Sequence, residues 1–354
     1  MSDLSDMIEA TAERIFADHL DESLRRKVEA GDWAGKLWQA LHDAGLLDAL
    51  AGGDEGRFSG LGDACTMLRS AGGHAIPAPV AETMVARWIA AACGFDLGEG
   101  AVAVLPARPG TRFTAQRKGA TLLLGGSEQR VPWLSTAGSA VVLAETDKGP
   151  VAALVNINEA MRKDRKSIAS EPLSSVRIDG VATQHWVDLP KGDIVVCEDA
   201  PRMLALLRSM MMVGAAERIV SLTVGYSEDR HQFGRPISKF QAVQQSLAVL
   251  AAETAASAAI TDAAVSELMR RGEWTGLADA ACARIRLMSD EIARIAHQVH
   301  GAIGFTQEYA LHDLTRRLFA WRDDYGYGSD WSQRLGGQAL SVERRALWPL
   351  VTSL

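Results

Sequence analysis

The chain is short of cysteine, of positive charge and of uninterrupted apolar runs. Its four cysteines, Cys65, Cys93, Cys197 and Cys282, are widely spaced. With no CxxC pair and no His/Cys cluster, they offer neither a zinc site nor a disulfide framework, and they read as reduced cytosolic thiols. Lys and Arg number 37 against 44 Asp and Glu, a net charge of -7. That balance argues against nucleic acid, whose phosphates require a basic face. No segment reaches about 18 uninterrupted apolar residues, so no membrane span is expected. The greasiest stretch, residues 203–213, is interrupted by Arg208 and reads as a buried helix. Residues 1–20 carry acids throughout and have no apolar h-region, so they do not read as a signal peptide. A cytoplasmic location is the expectation.

What is present is ample core: 47% of the 354 residues are hydrophobic, and a chain this long favours two or three domains. The first part is helical. Leu4, Ile8, Thr11, Ile15 and Phe16 recur at helical spacing, and residues 33–50, 61–71 and 80–92 continue the pattern. Gly72-Gly73 and Pro77-Ala-Pro79 break it. Short runs rich in branched residues follow at 101–105, 121–124, 140–144, 151–155, 175–178 and 194–196, a spacing that predicts a small β-barrel or sandwich. Long helical segments return at about 200–231, 238–271, 276–302, 309–323 and 333–350, as in an antiparallel four-helix-type bundle. The fold class expected is α+β multi-domain: an N-terminal helical domain (1–97), a middle β domain (98–197) and a C-terminal helical bundle (198–354).

Two motifs carry chemistry. Arg230-His-Gln-Phe-Gly-Arg-Pro-Ile falls at a helix end, where Gly234 and Pro236 stop one helix and Ser238 is placed to cap the next. Two arginines beside a turn and a fresh helix N-terminus suit a pyrophosphate, and Phe233 would offer an apolar face to a ring system. The plain alternative is a helix corner with solvated arginines. Gln298-Val-His-Gly-Ala-Ile-Gly-Phe closes a helix in small residues, which let a ligand approach the backbone; an ordinary helix C-cap accounts for it equally.

Other features have simpler readings. His297 and His300 stand one helical turn apart but lack a nearby third ligand, so no metal is expected. Met210-Met211-Met212 reads as core or pocket lining. Trp133, ahead of Leu134 and Ser135, is either a ring-stacking aromatic or core. Residues 162–166 read as a solvated basic loop.

Together these features resemble the acyl-CoA dehydrogenase family along nearly the whole chain. Residues 37–47 (LWQALHDAGLL) are similar to that family's early helix pair, and 171–181 (EPLSSVRIDGV) to its late β-domain strand. The two most specific signatures are the R-x-x-F-G-R-P-I-x-x-F-Q motif beginning at Arg230 and the QxxGxxGFTxE motif beginning at Gln298, which lies 68 residues further on. The resemblance implies N-terminal helices, a middle β-barrel and a C-terminal four-helix bundle, with FAD held across a subunit interface. By the same resemblance, Arg230, Phe233 and Gln241 would touch the FAD of a neighbouring subunit. Gln298, Gly301 and Ala302 would line its ADP portion, and Trp133, Leu134 and Ser135 would stand at the flavin-stacking triplet.

The chain departs from the family at the chemistry. The catalytic glutamate of a Y-E-G-T turn falls, without gaps, on Tyr325, between Asp324 and Gly326. The alternative base position falls on Leu204. The T-E-P-x-x-G-S-D flavin loop is reduced to Leu105-Pro-Ala-Arg-Pro-Gly110, without hydroxyls or acid. A tyrosine titrates near 10 and is poorly matched to the role of a base at neutral pH. Asp324 is the nearest substitute, Asp323 lies behind it, and Glu217 is a weaker candidate that could equally be salt-bridged. The leading reading is therefore an FAD-dependent acyl-CoA dehydrogenase subunit that lacks its own glutamate. It would pair with a homologous subunit or with itself as a dimer or tetramer, act on an acyl-CoA such as a fatty acid or sterol side-chain thioester, and pass electrons to an electron-transfer flavoprotein. The alternatives are a homomeric dehydrogenase using Asp324, a flavin-dependent monooxygenase on the same fold, and a non-catalytic subunit.

Overall fold

The computed structural model describes residues 3–52, 58–189, 199–342 and 348. It divides into two compact units, one of Met1–Met67 and Pro77–Leu207, the other of Leu68–Ile76 and Arg208–Leu354.

The first unit opens with α1 (Asp3–His19), α2 (Glu22–Ala30), α3 (Gly35–Asp43), most of α4 (Leu61–Gly73) and α5 (Val80–Cys93). α2 is capped by Asp21, whose carboxylate accepts the Leu24 N–H at 2.7 Å. Every residue of α5 from Val80 to Ala90 is buried, the pattern of a helix enclosed on all sides. Arg87 reaches out of it to Asp48 at 2.6 Å. The Trp38 indole donates to the Glu99 carbonyl at 2.9 Å and ties α3 to the approach to the sheet.

Eight strands follow: β1 (Val102–Leu105), β2 (Thr114–Lys118), β3 (Thr121–Pro132), β4 (Ser139–Thr146), β5 (Gly149–Asn156), β6 (Met161–Lys166), β7 (Pro172–Thr183) and β8 (Trp186–Asp188). They form one sheet in the order β6-β7-β3-β2-β4-β5-β8, with β1 parallel to β4. β4 is buried from Ala140 to Ala144 and packs on α5. The long β3–β7 ladder shifts register between Leu124 and Gly125 and again between Glu128 and Val131.

Five of the six predicted strands overlap β1, β3, β4, β5 and β7, only Ala101 of the first lying outside its strand; the sixth, at 194–196, lies outside the described residues, as does Cys197. Residues 162–166, expected as a basic loop, are instead the edge strand β6. An edge strand shows one side to water, and charge along it discourages pairing with another chain. A hydropathy pattern reads such a strand as loop.

In the second unit α6 (Asp199–Asp229), which begins in the first, leads to a hairpin of β9 (His231–Gln232) and β10 (Arg235–Pro236). Then come α7 (Gln241–Arg271), α8 (Gly276–His300), α9 (Leu311–Trp321) and α10 (Gly328–Ser341). Gly272, at φ 71, ends α7, and the Thr275 hydroxyl caps α8 by accepting the Leu277 N–H. α8 packs against α7, α9 and α10. Residues 203–213 are buried in α6, Arg208 included.

Ser238 does not cap α7. It lies in a 3-10 turn, Ile237–Lys239, and the helix begins after Phe240 with no side-chain cap. The hairpin closes by an Ile237 N–H bond to the Arg230 carbonyl at 2.8 Å, and that closure delays the helix. By length and composition α7 is apolar enough to cross a membrane, a test that core helices of soluble proteins also pass.

Candidate functional site

Five described residues other than glycine have a left-handed backbone, and three of them are Trp133, Phe233 and Tyr325, at φ 59, 52 and 58. Such conformations cost about 1–3 kcal/mol each and collect at functional sites. All three fall in the stretches singled out above.

At the hairpin, Phe233 and Gly234 both have positive φ (52 and 80), the two-residue turn that matches the twist of antiparallel strands. The turn throws the Phe233 ring outward, 92% exposed. Phe240 meets it edge-on at 6.2 Å, and the Arg235 guanidinium lies over the Phe240 ring at 4.3 Å. Arg230 and Gln241 are exposed beside it. The hairpin thus displays two guanidinium groups and a phenyl ring away from its own core.

Gln298, Gly301 and Ala302 stand exposed where α8 ends. Gly301 has φ 64 and ψ -142, and a Cβ built on it would meet nothing within 4 Å. Its lack of a side chain serves the backbone conformation and leaves open space for a ligand. Gly304 is packed instead: a Cβ there would lie 3.0 Å from Leu311 and 3.1 Å from both His297 and His300.

The two histidines are occupied by the fold. The Nδ1–H of His300 donates to the Ala296 carbonyl at 2.8 Å, and His297 Nε2 meets the Thr315 hydroxyl at 2.9 Å. His297 stacks on Phe305 and His300 on Tyr226. Burial pushes both imidazoles below their ordinary pKa. Among the described residues no cluster of His, Cys, Asp and Glu is suited to a metal.

Trp133 and Leu134 are buried and Ser135 half-buried, in a turn that leaves β3. The Trp133 N–H donates to the Pro172 carbonyl at 2.9 Å, and the Trp133 carbonyl accepts from Thr136 at 3.0 Å. These residues belong to the first unit; those of the two motifs belong to the second.

The turn after α9 holds Tyr325, the position that the resemblance aligns with the family's glutamate. Asp324 and Tyr325 are buried, 4% and 1% exposed. The Asp324 carboxylate faces Arg208 Nε at 3.7 Å. Arg208 also lies 3.5 Å from the Tyr325 hydroxyl, and its guanidinium covers the rings of Trp321 and Tyr325 at 5.1 and 5.5 Å. A second buried arginine, Arg286, donates to the Asp324 carbonyl at 3.3 Å and the Gly326 carbonyl at 3.2 Å. It also bonds the Ser209 hydroxyl at 2.7 Å and the Cys282 carbonyl at 3.0 Å. The turn is therefore clamped through its backbone and filled through its side chains. Of the other acids considered, Asp323 pairs with Arg322 at 3.5 Å and Glu217 with Arg69; Leu204 is buried in α6.

Two groups were not legible as site residues. Arg208 had marked only a break in an apolar run, yet a cation placed within a buried helix needs a partner, and that requirement was the available signal. Glu128, in β3, is 3% exposed and accepts the Ala107 N–H at 2.9 Å. Burial pushes its carboxyl up to about 7, against the opposing pull of the Ala107 and Arg108 amides and the Arg108 charge.

Helices, one sheet and helices again, with an arginine-bearing hairpin and a glycine turn on the last helices, make up an acyl-CoA dehydrogenase-like fold. Residues 202–322 match the family model for the acyl-CoA dehydrogenase C-terminal domain. Acyl-CoA dehydrogenase IpdE2 of Mycobacterium tuberculosis is 36% identical over 113 residues, 32% of this chain and 34% of that protein. The match thus spans about a third of the length of the curated relatives. A variant of the Tcur3481-Tcur3483 steroid ACAD superposes with a TM-score of 0.79 at 25% identity, covering 94% of this chain and 96% of that one. The ChsE4-ChsE5 complex from Mycobacterium tuberculosis shares the fold, with a TM-score of 0.80 at 20% identity over 97% and 99% of the two chains. Residues 202–322 thus belong to the acyl-CoA dehydrogenase C-terminal domain family, and the chain as a whole has the fold of the acyl-CoA dehydrogenases it superposes on.

Proposed function

We propose that this chain is a subunit of an FAD-dependent acyl-CoA dehydrogenase, working beside a homologous subunit that supplies the catalytic glutamate. The observation that carries this reading is the filling of the base position by Tyr325 and Arg208, with the nearest carboxylate, Asp324, committed to Arg208. Dehydrogenation of a CoA thioester removes a proton from Cα and a hydride from Cβ. A base at Asp324 would lose its charge on taking the proton and with it the ion pair to the buried Arg208, which is costly. Glu217 serves a salt bridge with Arg69. Neither acid is well placed for the proton transfer.

The residues present fit FAD. Arg230 and Arg235 would pair with its pyrophosphate and Phe233 would lie against a ring, while Gln298 and the open space at Gly301 and Ala302 would receive the ADP portion. Trp133 and Ser135 would stand toward the flavin. When bound, FAD supplies the hydride acceptor. Because Phe233 points away from its own core, its contact belongs to another subunit. α7 supports that arrangement with an exposed apolar row, Ala248, Ala252, Ala255, Ala259 and Ala263, opposite its buried face. The names ChsE4-ChsE5 and Tcur3481-Tcur3483 each describe two components, and a two-component assembly is the form proposed here. A soluble cytoplasmic chain with an electron-transfer flavoprotein as acceptor goes with it; among the described residues Cys65, Cys93 and Cys282 form no disulfide.

The test is the visible spectrum of the chain purified alone, given FAD and desalted. The expected result is a colourless protein that becomes yellow when co-expressed with a longer, glutamate-bearing homologue. Stoichiometric flavin in the lone chain, with reduction of a ferrocenium-type acceptor by an acyl-CoA, would overturn the proposal in favour of a homomeric enzyme using Asp324. Oxygen uptake with reduced flavin would point to a monooxygenase.

A further inference from the structure

Glu128 is a buried acid for which the chemistry above has no use. It lies in β3 opposite Val176 of β7. Its Oε2 accepts the Ala107 N–H, and the Arg108 amide bonds to the same carboxyl. One side chain therefore holds two successive amides in residues 106–110, the turn that leaves β1. Oε1 is buried and has no hydrogen-bond partner among the described residues. This is the turn whose sequence, Pro106-Ala-Arg-Pro-Gly110, carries no acid and no hydroxyl of its own.

We propose that Glu128 is the positioning residue for the 106–110 turn. Its carboxyl supplies from the neighbouring strand the anchor that the turn lacks, and it holds the turn in the shape required on the flavin side of the site. The flavin part of the proposal rests on the function proposed above; the anchoring part does not.

The physical basis is a balance between burial and hydrogen bonding. Two backbone amides aimed at one carboxyl favour its ionised form, and charge-assisted bonds are about twice as strong as neutral ones. Burial opposes ionisation and is the larger influence, so the group changes charge near neutral pH. Arg108, on the turn itself, is the charge that acts on it. Along the same cross-strand row Arg162 stands beyond Val176, with its charge engaged by Asp164 at 2.8 Å. The hold on the turn therefore strengthens as pH rises through about 7 and slackens as pH falls.

The test is hydrogen exchange at the Ala107 and Arg108 amides in the full chain from pH 5.5 to 8.5, corrected for intrinsic rates, in wild type, Glu128→Gln and Glu128→Leu. It is paired with FAD dissociation from the flavin-loaded assembly. In wild type, protection of the two amides should rise with pH. Glu128→Gln, which keeps an acceptor but no charge, should hold protection flat across the range. Glu128→Leu should also be flat and should lie about tenfold below wild type above pH 7, the scale of one hydrogen bond to a charged group, with a smaller gap at pH 5.5, while amides of Ala140–Ala144 in β4 stay protected. FAD should leave the Glu128→Leu assembly faster. Wild-type protection in Glu128→Leu would overturn the anchor. If Glu128→Leu does not fold, a Glu128→Gln profile that still follows wild type across pH would overturn it. Lost protection with unchanged FAD dissociation would overturn the flavin-side role. An assembly that takes up no FAD would refute the proposed function instead, and the amide readout would still decide whether Glu128 anchors the turn.

Discussion

The Asp324 carboxylate and the Arg208 guanidinium face each other at 3.7 Å, and both are buried. Removing one partner of such a pair leaves a buried charge uncompensated, at a cost of about 3–5 kcal/mol, whereas replacing both with apolar groups of similar size is near neutral. Asp324→Asn should therefore destabilise the chain by that amount in denaturant unfolding, and Arg208→Met combined with Asp324→Leu should recover most of the loss. A single Asp324→Asn chain of wild-type stability would show that the pair does not hold the turn and would return Asp324 to consideration as a base.

Glu217 is held differently. Arg69 bonds it bidentately and also reaches Asp262 at 3.0 Å, and the three side chains are partly exposed. Solvent-screened pairs are worth about 0–1 kcal/mol. Glu217→Gln should accordingly shift the unfolding midpoint little and leave acyl-CoA turnover by the flavin-loaded assembly unchanged. A turnover loss near 100-fold, the scale of a missing general base, would reassign it to the chemistry.

Backbone contact joins the same helices more firmly. A Cβ on Gly214 would lie 1.8 Å from the Arg69 carbonyl oxygen, and one on Gly72 would lie 1.9 Å from that of Met211. On helix propensity alone Gly214→Ala should stabilise α6 by about 1 kcal/mol. The atoms in the way are backbone and have no rotamer to yield, so the opposite sign is expected. Gly214→Ala and Gly72→Ala should each destabilise by about 3 kcal/mol or fail to fold, measured by thermal unfolding.

His297 and His300 give the second unit a pH dependence. The Thr315 hydroxyl donates to the Leu311 carbonyl, so it accepts from His297 Nε2; this leaves Nδ1 bare, just as Nε2 of His300 is bare. Both bare nitrogens are buried without a hydrogen-bond partner among the described residues. Burial is the main cause of the lowered pKa of both; the neighbouring His300 and His312 add to it at His297. The unfolded chain thus binds protons at a higher pH than the folded one. The stability contributed is complete above the ordinary value of about 6.5 and is lost as pH falls below it. The melting temperature of wild type should drop between pH 7 and 5 by more than that of a His297→Gln, His300→Phe chain; equal drops would exclude the pair as the cause.

The long helices were legible because their apolar spacing repeats over many turns and glycine or proline punctuates their ends, as at Gly272 and Gly301. β1, β4 and β5 were legible because they are buried runs of branched residues and alanine. β6 was not, since an edge strand of Arg162, Lys163, Arg165 and Lys166 has no apolar pattern to read, and β2 and β8 are short with mixed exposure. The candidate residues Arg230, Phe233, Gln298 and Gly301 could be named from the sequence because each motif is local. Arg208 with Asp324, and Glu128 with Ala107, were hidden for the converse reason: each pairs residues brought together only by folding, 116 and 21 positions apart.

Phe233 offers the sharpest separation of binding from stability. Its ring is 92% exposed at the tip of a two-residue turn, and its only ring contact among the described residues is with Phe240. An exposed side chain of this kind contributes within about 0.5 kcal/mol of nothing to folding, and alanine tolerates the left-handed backbone no worse than phenylalanine does. Phe233→Ala should therefore leave the melting temperature of the flavin-free chain in place. If the ring lies against FAD in a neighbouring subunit, its loss removes an aromatic contact worth about 0.5–1.5 kcal/mol beyond its buried area. Flavin retention by the assembly should then fall roughly tenfold. Arg230→Met removes a charged hydrogen-bond donor worth about 1.5–3 kcal/mol and should weaken retention by roughly 10- to 100-fold, again at constant stability. Arg230→Lys keeps the charge but not the planar fork and should fall between the two. Flavin titration of the assembled protein, followed by fluorescence quenching, reads all three. Unchanged affinity in Phe233→Ala and Arg230→Met would mean that the hairpin faces solvent, and that the flavin is held by other residues.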